Sequence, residues 1–195
     1  MGKRGKESLV LLSGGIDSAA CVKYYIDSGF KVRSVFIDFG QLSAKRESDS
    51  AAKIAAYFGV DFVKLTFNSQ NKYSIGEIGF RNAFLIFSGL LSAPLFEGLI
   101  SMGIHAGSRY YDCSEAFVID INRILSTYSD GKITFDAPFL KWTKAEIVEF
   151  CRKREIPLRL TYSCEAGGDV PCNKCLSCID RRKAGVYEKN EIDAG

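Results

Sequence analysis

The stretch Ser8-Leu9-Val10-Leu11-Leu12-Ser13-Gly14-Gly15-Ile16-Asp17-Ser18 decides the fold. Residues 8–12 form a short apolar run that stops at Ser-Gly-Gly, the pattern of a buried strand. Residues 18–28, with Ala20, Cys21, Tyr24 and Tyr25 at helical spacing and Gly29 as a C-terminal cap, read as a helix. A glycine-rich turn between strand and helix makes free backbone N–H groups and the helix dipole converge on one point, an anion site. The glycines allow phosphate oxygens to approach the backbone, and the hydroxyls of Ser13 and Ser18 add donors. No lysine is present in the loop, so it is not the kinase-type loop whose lysine reaches the terminal phosphates. Chemistry on a bound triphosphate is therefore expected away from the γ-phosphate. The bland alternative is a tight turn followed by a capped helix.

Outward from this loop, strand and helix alternate. Residues 32–39, 62–65, 99–105 and 133–135 read as further strands, and 45–58, 82–95, 114–125 and 143–154 as helices. The helix from 143 opens with a capping box of Thr143 and Glu146. Such alternation implies an α/β fold with a doubly wound parallel five-stranded sheet, whose ligands sit at the carboxyl ends of the strands. Residues 1–160 are expected to form the nucleotide-binding domain, with 161–195 a small C-terminal segment packed on it. The apolar stretch 83–104 contains Pro94 and Glu97, which suits a buried helix followed by a buried strand better than a membrane span.

The bulk numbers agree. A chain of 195 residues, 47% hydrophobic and 25% charged, suits one globular domain with a small addition. The net charge of +3 is small, and the basic residues are scattered apart from short clusters such as Lys3, Arg4 and Lys6, which argues against a nucleic-acid specialist. No signal peptide is visible, because the apolar run at 9–12 stops at the glycines, so a reducing, cytoplasmic setting is expected.

Four of the seven cysteines, Cys164, Cys172, Cys175 and Cys178, crowd into fifteen residues, while Cys21, Cys113 and Cys151 lie apart as core thiols. Four thiolates complete the coordination of a structural zinc ion and leave no open position. Gly167, Gly168 and Pro171 suit a loop folding the first ligand back onto the others. An iron–sulfur cluster is the rival reading, since the last three cysteines have a ferredoxin-like spacing.

Ser-Gly-Gly-x-Asp-Ser after a first strand resembles the PP-loop of the ATP pyrophosphatases, and with the four cysteines downstream the chain resembles the 7-cyano-7-deazaguanine synthase (QueC/ExsB) family. Other stretches carry the likeness: Asp38-Phe39-Gly40-Gln41 with Glu47, Arg81-Asn82, Tyr110-Tyr111-Asp112-Cys113, Ala137-Pro138-Phe139, Thr143 to Ile147, and Thr161 to Cys164 with Gly167-Gly168. The resemblance implies an adenine-nucleotide α-hydrolase-like fold. It also implies an ATP-dependent ligase that adenylates 7-carboxy-7-deazaguanine and uses ammonia to make the amide and then the nitrile, releasing AMP and pyrophosphate. ATP, Mg²⁺ and Zn²⁺ are the implied cofactors. Leu12, Ser13, Gly14, Gly15, Ile16, Asp17 and Ser18 are expected to cradle the pyrophosphate, with Asp17 either helping to hold Mg²⁺ or ordering the loop. Phe36, Asp38 and Gln41 complete the nucleotide site, strand two reading adenine. Arg81 and Lys144 supply charge for phosphate or carboxylate, and Ser13, Asp17, Ser18, Lys144 and Arg81 form the catalytic set.

The family's Gly-x-Asn-Ala-Glu-Asp after strand four stands here as Gly103-Ile104-His105-Ala106-Gly107-Ser108, so the single histidine takes the asparagine's place. His105 reads as a hydrogen-bonded wall residue, with a general base as the alternative. No membrane or direct nucleic-acid partner is expected, and a homodimer is allowed. Rival functions are a PP-loop enzyme adenylating a tRNA base, one conjugating a deazaguanine to protein, and a non-catalytic nucleotide-binding zinc module.

Overall fold

The computed structural model describes residues 6–68, 73, 76, 78–105 and 110–186. Lys3, Arg4, Ala106, Gly107 and Ser108 lie outside the described residues, as does most of the polar connector from 68 to 79. In chain order the elements are β1 (Glu7–Leu11), α1 (Ile16–Asp27), β2 (Lys31–Asp38), α2 (Ala44–Phe58), β3 (Asp61–Thr66), α3 (Arg81–Ser92), β4 (Gly98–Ser101), α4 (Glu115–Ser129), β5 (Ile133–Asp136), α5 (Lys144–Lys153) and α6 (Leu176–Lys183). Single 3₁₀ turns cover Tyr111–Cys113 and Leu158–Leu160.

The strands form one sheet in the order β3-β2-β1-β4-β5, every pair parallel. The central strands must bury both faces, which is why β1 is continuously apolar rather than alternating. Val10 and Leu12, with Val32 and Phe36 of β2, pack against α1, α2 and α5. Leu9 and Leu11, with Val35 and Ile37, pack against α3 and α4. Helices therefore cover both faces, as the alternation predicted. The chain builds outward through β2 and β3, then crosses back to place β4 on the other side of β1. The strand order thus reverses between β1 and β4, and a crevice opens there at the carboxyl ends.

α1 and α2 finish where expected, before glycines in the left-handed region, Gly29 at φ 78° and Gly59 at φ 64°. The Thr143–Glu146 capping box is formed in both directions. β4 is shorter than its sequence suggests. It stops at Ser101, because Gly103 leaves the sheet to lie against the first turn of α1. α3 ends at Ser92 rather than 95, since Pro94 pushes Ala93 out of the helical region to φ −132°, ψ 74°. The sequence reading assigns no element after 154, yet α6 forms at the end of the cysteine-rich stretch. Among the described residues no helix is long and apolar enough to cross a membrane.

Candidate functional site

A cavity of about 670 Å³ opens at the crevice, walled by the residues that follow β1, β2 and β4, by the starts of α3 and α5, and by the C-terminal segment. Its floor is the loop after β1. Gly14 turns with φ 83°, and a Cβ there would stand 2.5 Å from the Glu47 carbonyl oxygen, so only glycine lets the loop sit this close to α2. Gly15 caps α1 without any side-chain hydrogen bond, which leaves the first-turn N–H groups of α1 uncapped by side chains. Ser13 Oγ accepts from Gly15 N–H at 3.4 Å and donates to Ser18 Oγ at 3.1 Å, and Ser18 Oγ donates to the Gly15 carbonyl at 3.0 Å. Two hydroxyls and an uncapped helix start thus face one point, the arrangement that holds an anion.

Beside this point lies a charged pair joining distant parts of the chain. Lys144, the first residue of α5, places Nζ 2.7 and 2.8 Å from the two carboxylate oxygens of Asp17. Both side chains are about 18% exposed, so water screens the pair only partly. His105 approaches from the third side, its Nε2 3.8 Å from Asp17 Oδ2. Its position is set by backbone contact: a Cβ on Gly103 would lie 2.6 Å from Asp17 C and 2.8 Å from Ser18 N.

Beyond β2 the wall is a locked polar network. Gln41 Nε2 donates to Glu47 Oε2 at 2.9 Å and to the Ile37 carbonyl at 3.3 Å, while its Oε1 accepts from Phe39 N–H at 2.9 Å. Ser43 Oγ donates to Glu47 Oε1 at 2.8 Å. Burial holds the Glu47 carboxyl above its ordinary range, against the opposing pull of those hydrogen bonds and of the nearby Arg81. Arg81 opens α3, and its Nε donates to Asn82 Oδ1 at 3.1 Å. Asn82 is buried and donates through Nδ2 to the Asp112 carbonyl at 2.9 Å, which ties α3 to the 3₁₀ turn at Tyr111–Cys113.

The four cysteines meet as their spacing suggests. The Sγ atoms of Cys164, Cys172, Cys175 and Cys178 all lie within 4.8 Å of one another. Tetrahedral zinc, with Zn–S near 2.3 Å, needs sulfurs roughly 3.8 Å apart, so small adjustments close the shell. Backbone N–H groups of Lys174 and Cys175 hold the Cys172 thiol down to about 6, whereas burial raises those of Cys175 and Cys178. A donor set of four thiols within this span can hold a metal ion, which would draw all four to thiolates. The other thiols differ. Cys21 is fully buried and burial raises it; Cys151 is pushed up to about 12 for the same reason, so neither is a nucleophile. Cys113 is half-buried on the cavity wall.

The cysteine-bearing segment is also part of the cavity. Tyr162 N–H donates to the Gly14 carbonyl at 2.9 Å, joining the segment to the anion loop. Arg181 of α6 is buried and donates to Thr161 Oγ1 at 2.7 Å. Ser177 donates through N–H and Oγ to Glu165 Oε1, at 3.2 and 2.9 Å. Tyr162, Ser163, Glu165, Ser177 and Asp180 consequently face the cavity.

Of the residues singled out from sequence, Leu12, Ser13, Gly15, Ile16, Asp17, Ser18, Phe36, Gln41, Arg81 and Lys144 line this one cavity. Gly14 and Asp38 do not. Gly14 turns its backbone to α2 and Tyr162, and Asp38 turns back to accept from Gly40 N–H at 3.1 Å. Tyr73, Tyr110, Glu165, Ser177 and Asp180 line it without having been anticipated as wall residues. No local pattern marks Tyr73, Glu165, Ser177 or Asp180, whereas Tyr110 and Asn82 lie within the motifs quoted above.

The model of the family described as "Queuosine biosynthesis protein QueC" matches residues 7–78 and 69–190. Among similar curated proteins are three 7-cyano-7-deazaguanine synthases. That of Campylobacter jejuni subsp. doylei is 29% identical, over 94% of this chain and 97% of the relative. That of Oceanobacillus iheyensis is 28% identical, over 89% and 90%. That of Thermoplasma acidophilum is 27% identical, over 96% and 90%. Two solved structures share the fold: the U34-tRNA thiolase NcsA from Methanococcus maripaludis with its [4Fe-4S] cluster, and NMN synthetase from Francisella tularensis. The first has a TM-score of 0.54 at 13% identity, over 98% of this chain and 68% of that one. The second has a TM-score of 0.54 at 12% identity, over 94% and 79%.

Proposed function

The chain belongs to the QueC family, and we propose that it is an ATP-dependent ligase acting on 7-carboxy-7-deazaguanine or a close analogue. A carboxylate is a poor electrophile, so its oxygen attacks the α-phosphorus of ATP and gives an acyl adenylate with loss of pyrophosphate. Ammonia opens that adenylate to the amide, and a second adenylation of the amide permits loss of AMP to the nitrile. The observation that carries this reading is the uncapped start of α1 flanked by Ser13 and Ser18, without any loop lysine, beside the Lys144–Asp17 pair.

Charge builds on the departing pyrophosphate. Donors already aimed at that point, the uncapped amides of the first turn of α1, lower the barrier most, and losing one such donor typically costs about 10²–10³ in rate. Both oxygens of Asp17 are taken by Lys144. Asp17 orders the loop and aims the lysine, and it is the carboxylate at the anion point that would help to hold Mg²⁺, which would offset phosphate charge there. Phe36 supplies an apolar face for adenine, and Gln41, pinned by Glu47, shapes its edge. Arg81 provides charge for the acceptor carboxylate.

Cys164, Cys172, Cys175 and Cys178 would hold a structural zinc: four sulfur ligands would leave it no open position, and it would fix the segment from residue 161 onward against the nucleotide-binding unit of 1–160. Tyr162, which bonds to the loop at Gly14, is the point through which that order reaches the site. The protein works in the cytoplasm on small molecules, as a monomer or homodimer, without membrane or nucleic acid.

The test is to incubate the protein with ATP, ammonium and 7-deazapurine carboxylates and resolve all products by mass. AMP, pyrophosphate and a product carrying the amide or nitrile are expected. ADP and phosphate as the sole nucleotide products would overturn the reading; AMP formed without change in any deazapurine would point to another acceptor.

A further inference from the structure

The cavity lining offers a ligand two kinds of group. Donors and positive charge come from the uncapped first turn of α1 and from Arg81, whereas the wall added by the cysteine-bearing segment brings two carboxylates, Glu165 and Asp180. The other lining carboxylates are engaged within the protein: Asp17 accepts from Lys144, and Glu47 accepts from Gln41 and Ser43. Among the described residues no hydrogen bond or ion pair engages the Asp180 carboxylate, and Glu165 is engaged through Oε1 alone. A ligand suited to this lining carries an acid and also N–H donors.

α6 holds one of those acceptors in a fixed place. Leu176, Ser177 and Asp180 share a face of this helix, since residues three and four apart are neighbours, and all three line the cavity. The rest of the helix is anchored. Cys178 is buried in the four-cysteine cluster, and buried Arg181 donates to Thr161 Oγ1 at 2.7 Å. Glu165 Oε1 accepts from Ser177 N–H and Oγ at 3.2 and 2.9 Å, which satisfies an amide of the first turn. Leu176 lines the cavity yet is 62% exposed, an apolar surface on which a flat ring can lie. One turn further along α6, Asp180 is placed to meet the edge of such a ring.

We propose that Asp180 is a specificity-determining residue that selects a guanine-type acceptor, its two carboxylate oxygens accepting from the N1–H and the 2-amino group of the ring. The inference rests on the adenylation reading above and deepens it. A carboxylate is a fork of two acceptors, and the guanine edge is a fork of two donors, so the pair matches in geometry as well as in charge. A 2-oxo ring of the xanthine type offers one donor and one acceptor at the same edge. Its oxygen would face a carboxylate oxygen and be repelled. An amide in place of the carboxylate, with one acceptor and one donor, would reverse the preference.

Pyrophosphate exchange into ATP, run without ammonium on 7-carboxy-7-deazaguanine and on 7-carboxy-7-deazaxanthine, gives the ratio of kcat/KM for the two acceptors and, separately, the KM for ATP. The parent should favour the guanine-type acceptor by about a hundredfold or more. Asp180→Asn should invert that order, with activity on the xanthine-type acceptor rising above the parent's. In Asp180→Ala the two acceptors should differ by no more than about tenfold, and in both variants the KM for ATP should stay within about threefold of the parent. Bound metal and Tm of each variant report on the fold, whose loss lowers activity on both acceptors alike and cannot exchange one preference for the other. A parent without preference, a ratio unchanged in both variants, equal loss on both acceptors, or an effect confined to the KM for ATP would each overturn the inference and leave adenylation standing. No exchange by the parent with any deazapurine carboxylate would sink the adenylation reading and this inference with it.

Discussion

Replacing Gly103 by alanine adds one methyl group at the tightest backbone contact of the site. The new Cβ would stand 2.6 Å from Asp17 C, 2.8 Å from Asp17 O and 2.8 Å from Ser18 N. Carbon atoms in contact settle no closer than roughly 3.4 Å, so the two backbones must part by about 0.8 Å. Neither side of the contact is a flexible side chain. Overpacking of this kind costs about 1–3 kcal/mol, which for a chain of this size lowers Tm by roughly 2–12 °C. The part that moves is the first turn of α1, which carries Asp17 and the anion site. A displacement approaching 1 Å there should cut turnover about a hundredfold. Gly89→Ala is the control. Its Cβ would meet only methyl ends, Leu11 Cδ2 at 2.8 Å, Ile100 Cδ1 and Val35 Cγ1 both at 3.4 Å. Alanine is also about 1 kcal/mol better inside a helix, so the net change should stay within about 1 kcal/mol. Thermal unfolding and AMP release at saturating ATP, measured on both variants, decide the matter. Gly103→Ala with parental Tm and parental turnover would refute the argument that this contact positions the loop.

Three further outcomes are expected. Asp17→Asn leaves Lys144 without its counter-charge in a site only partly open to water, so turnover should fall by about 10² while the fold survives; parental activity would remove Asp17 from the site. Cys175→Ser should abolish metal binding, lower Tm and speed amide exchange after residue 160. A brown, iron-containing parent protein, or a metal-free one of full stability, would show the zinc assignment wrong. Glu47→Gln tests burial of a carboxyl. Because burial raises the folded-state value above the ordinary 4.5, the fold holds that proton more tightly than the unfolded chain does. The contribution is complete below the unfolded value and is lost as pH rises through the folded one. Unfolding free energy of the parent should therefore drop with rising pH above about 4.5 relative to the glutamine variant, and a difference of opposite slope in urea titrations would refute it.

The α/β architecture was legible because its signals are local. A continuous apolar run in β1, a glycine turn and a largely buried α1 with apolar residues at helical spacing specify a strand, an anion loop and a helix within a few turns of chain, whatever packs on them. The cysteine spacing was legible for the same reason: Cys172, Cys175 and Cys178, three residues apart on one short loop and helix, can converge locally, and Cys164 is only eight residues upstream. Element ends were less so. β4 stops early because Gly103 is claimed by α1, and α6 forms where a helix start follows Cys175, neither of which periodicity reveals.

What only the tertiary structure decided is which side chains meet. Lys144 and Asp17 are 127 residues apart and join because the chain crosses back between β3 and β4, which brings the starts of α1 and α5 to one edge of the sheet. Asp38 carries the same charge as Asp17 and sits at a strand end, yet it turns into its own loop, where it accepts from Gly40 N–H. The C-terminal wall joins the anion loop through a backbone bond from Tyr162 to Gly14, a contact with no sequence signature. Short-range patterns determine what each segment becomes, since they act through neighbouring backbone and side chains. The composition of a cavity depends on strand order and crossover, which are settled by the burial of the whole core.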